Sequence, residues 1–176
     1  TVYEWTCAGQ SLPAEGQDFA LSIVVVDSPK ALMVIDSGAT AAVGESAAAA
    51  IRSKFGTKPI WILNTQPKPE HVLGNVGFRA AFAATLSEGE SFASRLVAGK
   101  RTADLMQARC PTCIENFSER MGSGSVKGTE SLVPGRILRT KTGHLGVLHN
   151  DWVSWTFRLY KDLETEEALV LRNREL

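Results

Sequence analysis

The sequence is short of several features that mark large functional classes. Of its 176 residues only three are cysteine and three histidine, and 19 basic residues balance 19 acidic ones to a formal net charge of zero. Nucleic-acid binders usually carry a clustered basic excess that neutralises phosphates, so no nucleic-acid partner is expected. Long apolar runs are missing as well. The stretches Leu21 to Val26 and Ala31 to Ile35 fall far below the roughly 20 residues that span a bilayer, which excludes a transmembrane helix. Three cysteines allow one bridge and leave one thiol over; the CPTC spacing makes Cys110 and Cys113 the disulfide candidates and Cys7 the odd residue. Repeats and low-complexity tracts are absent, and no composition shift marks a boundary, so residues 1–176 read as one domain.

What is present is an apolar fraction of 44%, enough for a sizeable core in a chain of this length. Phe19, Leu21, Ile23 and Val25 alternate with Ala20, Val24 and Val26, and the DSPK turn at 27–30 leads into Ala31 to Ile35. That pattern predicts a β-hairpin, and because both faces are apolar, covering layers on both sides. DSGAT then turns the chain into a helix over about 41–54, with Val43, Ala47, Ala50 and Ile51 on one stripe and Gly56 as its stop. Pro59 to Leu63 reads as a short buried strand. A second short strand is expected over Phe92 to Val97, then a helical pattern from Lys100 to Met121 that Pro111 should kink or split, leaving Cys110 to cap the second part. GSGSVKG at 122–128 reads as a flexible connection. Arg136 to Arg139, Leu145 to Leu148, Trp152 to Tyr160 and Ala168 to Leu171 are candidate strands.

The segment NTQPKPEHVLGN at 64–75 follows directly on the strand at 59–63, the position where α/β proteins commonly place a site. Its residue types argue against a metal. Zinc takes about three protein ligands from His, Cys or carboxylate, whereas Lys68 can only donate while charged and Gln66 offers a weak amide oxygen. A unit like charge about 4 Å from the ion costs on the order of 4 kcal/mol at an effective dielectric near 20. Only Glu70 and His71 remain as plausible ligands in this loop.

With those residues read, VIDSGATAAVG, WILNT, HVLGN and ARCPTCIEN together resemble the metallo-β-lactamase superfamily. The nearest branch is the exported zinc metallohydrolases linked to quinoprotein dehydrogenase and sulfur-oxidation systems, in which a CPxCxEN segment follows the metal loop. The resemblance implies an α/β fold, the four-layer αββα sandwich, and a periplasmic or otherwise exported setting. It also places Gln66, Lys68 and Glu70 where the NTHxHxDHxxGN loop has His, His and Asp, and keeps only His71. By the HTExDLVLW pattern, Glu164 stands at the next metal histidine and Ala168 at a later aspartate. Residues 1–176 match only about the first two-thirds of that domain.

The reading that follows is a non-catalytic accessory or structural subunit of a periplasmic complex. Its metal site is lost, no cofactor is implied, and its partners are proteins in a larger assembly that could be membrane-associated. An ammonium at Lys68 would stand in for the ion's charge and pair with Glu70. Two alternatives compete. One is a zinc-dependent hydrolase with an atypical single-metal site, using Glu70 and His71 with His144, His149 or Glu164. The other is a thiol-disulfide redox protein, in which Cys113 sits in the first turn of a helix whose dipole lowers its pKa.

Overall fold

The structure, a computed structural model, describes residues 2–7, 21–138, 145–149, 154–160 and 168–173, with side chains for 22–119 and 122–138. Six strands form one mixed sheet in the order β1 (Val2–Cys7), β2 (Leu21–Asp27), β3 (Leu32–Ile35), β4 (Ile60–Asn64), β5 (Leu96–Gly99) and β6 (Arg136–Leu138). The first three pair antiparallel, and β3 through β6 run parallel. A second, antiparallel sheet contains β7 (Leu145–His149), β8 (Ser154–Tyr160) and β9 (Ala168–Asn173).

Strand alternation sorts the apolar residues of the first sheet into two buried sets. Ile23, Val25, Leu32, Val34, Ile60, Ile62 and Leu96 face the helices α1 (Ala41–Phe55) and α3 (Asn75–Phe82), where they meet Ala47, Ala48, Ile51, Phe78 and Phe82. Val26, Met33, Leu63, Val97 and Leu138 form the buried set on the other face. Each of these side chains contributes about 1.5 to 3 kcal/mol by leaving water, which explains why β4, apolar on both faces, lies in the middle of the sheet.

Helix α1 starts because the Thr40 hydroxyl accepts from the Val43 N–H at 3.3 Å and the Thr129 hydroxyl accepts from the Ala41 N–H at 2.9 Å. It ends at Gly56, whose φ of 75° places it in the left-handed region. Both limits agree with the sequence reading. Helix α3 packs closely on α1 because small residues face each other. A Cβ on Gly44 would lie 2.0 Å from the Gly74 carbonyl oxygen, and one on Gly77 would lie 2.4 Å from that of Ala41.

Three expectations are corrected. Phe92–Arg95 is a 3-10 turn and the strand begins only at Leu96, because Ser94 bonds back to the Ser91 carbonyl and Arg95 is gripped by Glu90, which favours a local turn over a ladder. Helix α4 (Lys100–Met121) is continuous through Pro111, so Cys110 caps nothing. Pro111 and Gln107 are both exposed, so water can donate to the Gln107 carbonyl the hydrogen bond that the proline, lacking an N–H, cannot. Ser123–Val126 is a 3-10 turn in place of a flexible linker, with the Ser125 amide and hydroxyl both donating to the Gly122 carbonyl. Among the described residues no helix is long and apolar enough to cross a membrane.

Candidate functional site

Parallel strands bring their carboxyl ends to one edge, and β3 and β4, neighbours in the sheet, deliver Asp36 and Thr65 side by side. Asp36 has φ 61°, a left-handed value that aspartate adopts more readily than most residues. The bend aims its carboxylate at the loop that leaves β4. Its Oδ1 accepts from the Thr65 N–H at 2.8 Å, the Thr65 hydroxyl donates to Oδ2 at 2.8 Å, and the Nδ1 of His71 lies 2.7 Å from Oδ2.

His71 belongs to the one-turn helix α2 (Pro69–Val72), which follows the bend at 66–68 and begins where Pro69 occupies its first position. Its carbonyl accepts from the Ser37 N–H at 3.0 Å, the Ser37 hydroxyl at 3.2 Å and the Asn64 Nδ2 at 3.1 Å. Asn64 and Asn75 are fully buried and exchange amide hydrogen bonds, at 3.1 Å and 2.8 Å, and the second Asn75 proton goes to the Leu132 carbonyl at 3.2 Å. Every amide proton of the pair thus has an acceptor, as two buried carboxamides require. The Gly74 N–H donates to the Gly38 carbonyl at 2.7 Å, and a Cβ on Gly74 would meet the Ser37 oxygen at 1.9 Å.

Charges around the imidazole pull in opposite directions. Burial works against the protonated form of His71, but the Asp36 hydrogen bond and charge, helped by Glu70 and opposed by Lys68, leave its pKa raised. The contact pairs Nδ1 with the Asp36 carboxylate and leaves Nε2 as the other ring nitrogen. A carboxylate behind a histidine is an arrangement that suits a metal ligand. The rest of the donor set does not fit. Lys68 is close enough for its charge to oppose that of His71, Gln66 lies half-buried in the bend, and Glu70 supplies a single carboxylate. Among the described residues no three His, Cys, Asp or Glu side chains converge where an ion could sit. Glu164 and His144 lie outside the described residues, as does the His149 side chain at the end of β7.

The two α4 cysteines are free thiols, which corrects the expected disulfide. On an uninterrupted helix, positions three apart share a face but hold their Cβ atoms about 5–6 Å apart, beyond the roughly 3.5–4.5 Å that a disulfide spans. Cys110 is buried against Val72, Leu73 and Met106, and burial pushes its thiol up to about 11. Cys113 is half-buried; burial, with Glu70 adding to it and Arg109 opposing, holds its pKa raised. Because α4 begins at Lys100, Cys113 lies several turns from the amino terminus and receives none of the dipole assistance that the redox reading needs.

Three participants were not visible to sequence reasoning as contacts: the Asp36 carboxylate on His71, Thr65 beneath it, and the Asn64–Asn75 pair. The DSG turn supports the loop through Asp36. A polar Asn-Thr closing the apolar WIL run was the available signal for the rest.

No protein-family model matches the sequence, and no curated protein matches it. Solved structures do resemble the fold. The metallo-β-lactamase from Pontibacter korlensis superposes with a TM-score of 0.66 at 13% identity, covering 99% of this chain and 63% of that one. The metallo-β-lactamase from Hirschia baltica gives 0.59 at 11% identity, with 99% and 63% covered. The metallo-β-lactamase FIM-1 from Pseudomonas aeruginosa, in its mono-zinc form, gives 0.58 at 14% identity, with 97% and 60% covered. The chain therefore spans about three-fifths of the length of these structures, and over that span it has the α/β fold of the metallo-β-lactamases.

Proposed function

We propose that this protein is a non-catalytic member of the zinc-hydrolase fold that serves as an accessory or structural subunit of a protein complex in the periplasm. The observation that carries the reading is the donor set of the 64–75 loop. Lys68 holds a positive charge beside the single remaining imidazole, and Gln66 offers no basic nitrogen. The loop's backbone is nonetheless tied to the neighbouring turn through Thr65, His71 and Gly74, which supports a role for its shape where hydrolysis is lost. The exported setting and the likeness to quinoprotein-linked hydrolases rest on the ARCPTCIEN and HVLGN segments and belong to the same proposal.

Metal analysis of protein purified from cells without added chelator tests it. Substoichiometric zinc, together with a specific partner retained in a native pull-down, is the expected outcome. One tightly held zinc per chain, or a monodisperse monomer that retains no other protein, overturns it. The free Nε2 of His71, backed by Asp36, favours a single-metal hydrolase as the second reading; stoichiometric zinc accompanied by zinc-dependent ester or amide hydrolysis would establish that one instead.

A further inference from the structure

Three sulfur atoms share one stripe of α4, and the proposed function uses none of them. Met106, Cys110 and Cys113 stand at positions i, i+4 and i+7 of an uninterrupted helix, which fall on the same face. Met106 and Cys110 are fully buried together against Val72 and Leu73, and Cys113 is half-buried. Burial is the main reason the Cys110 thiol stands at about 11, and Cys113 adds to it, so the two thiols lie close enough to feel each other's charge. With Cβ atoms about 5–6 Å apart, they are too distant for the roughly 2 Å sulfur–sulfur bond of a disulfide. A metal ion seated between two sulfurs, each bond about 2.3 Å long, holds them up to about 4.6 Å apart, which suits that spacing. We propose that Met106, Cys110 and Cys113 form a binding site for a soft monovalent metal ion, copper(I). The inference goes beyond the proposed function and does not rest on it.

The donor set selects the ion. Thiolate and thioether sulfurs favour copper(I) over harder cations. Zinc is a poor match, because a structural zinc asks for four donors from Cys, His or carboxylate, and among the described residues no three such side chains converge. On binding, the two thiols give up their protons and the ion takes their place, which leaves a net negative charge on the cluster. Burial and Glu70 work against the Cys113 thiolate while Arg109 favours it, and a hydrogen bond from the Ser131 hydroxyl favours the thiolate of Cys110. Half-buried Cys113 is the point of entry, and the two enclosed sulfurs hold the ion away from water.

Anaerobic titration of the full chain with copper(I), in competition with the chromogenic chelator bicinchoninate, tests the site, and X-ray absorption reads the neighbours of the bound ion. One ion per chain should leave the chelator and show sulfur neighbours alone. Cys113→Ser, at a half-buried position, should weaken binding by about 100-fold or more, and Met106→Leu, which nearly conserves the core volume, by about tenfold. Cys7→Ser should leave the affinity unchanged. A chain that takes no copper from the chelator overturns the inference, as does binding that survives Cys113→Ser, is lost with Cys7→Ser, or shows nitrogen neighbours from an imidazole. The wild-type titration and spectrum decide the matter even if a variant does not fold.

Discussion

Lys68 is the residue on which the proposed loss of metal turns, because its positive charge opposes that of His71 and would oppose that of a divalent ion. If charge and ligand type are the cause, restoring them should restore binding. The double substitution Gln66→His and Lys68→His removes a like charge worth on the order of 4 kcal/mol and adds two imidazoles, so zinc affinity should rise 100-fold or more. Competition titration against a chromogenic chelator measures the change. An unaltered affinity would mean that loop geometry, and not the donor set, excludes the ion. Lys68, Gln66, Glu70 and His71 stand out in the sequence by type and by their place after a strand end. Asp36 was legible only as part of a turn: its contact with His71 spans 35 positions, and spacing along a chain says nothing about a bend at φ 61° that redirects a side chain.

At the scale of elements, local bonding decided where periodicity misled. Phe92 to Val97 has the composition of a strand, yet Glu90 holds Arg95 through two hydrogen bonds and stops the ladder from starting before Leu96. This clip makes a pH prediction. The Arg95 guanidinium is the main reason the Glu90 carboxyl falls from 4.5 to about 2 on folding, so its stabilisation is present above pH 4.5 and is lost as pH drops toward 2. With the Arg95 side chain only 7% exposed and that of Glu90 21%, Glu90→Gln should destabilise the protein by about 2 kcal/mol at pH 7, and the gap from wild type should close by pH 2. Urea unfolding at stepped pH reads this directly; a gap that persists in acid would assign the loss to packing. Pro111 shows the opposite case. The rule that proline breaks helices is sound for buried turns, but on an exposed face the orphaned Gln107 carbonyl can bond water, and α4 runs on.

For the molecule as a whole, the order of hairpin, helix and central strand could be read from alternation and apolar runs, because burial on both faces of a sheet leaves a strong imprint on composition. The disulfide could not, since cysteine spacing carries a bridge only where the backbone lets the sulfurs meet. If the fold is organised without an ion, as proposed, it is indifferent to one. Free zinc at 100 times its dissociation constant would stabilise a binding-competent native state by about 2.7 kcal/mol, a shift of several degrees in Tm. Thermal unfolding in EDTA and in micromolar zinc should instead coincide, and a zinc-dependent rise would show a working site.

The contact between Gly44 and Gly74 carries one more consequence. A Cβ added at Gly44 or Gly74 would stand 2.0 or 1.9 Å from a backbone oxygen, so neither position admits a side chain larger than hydrogen. The bend at 66–68 is half-buried and contains no glycine. Substitution can therefore rewrite what the loop binds while its anchorage stays rigid, which makes residues 66–70 a ready place to graft new recognition onto an old frame.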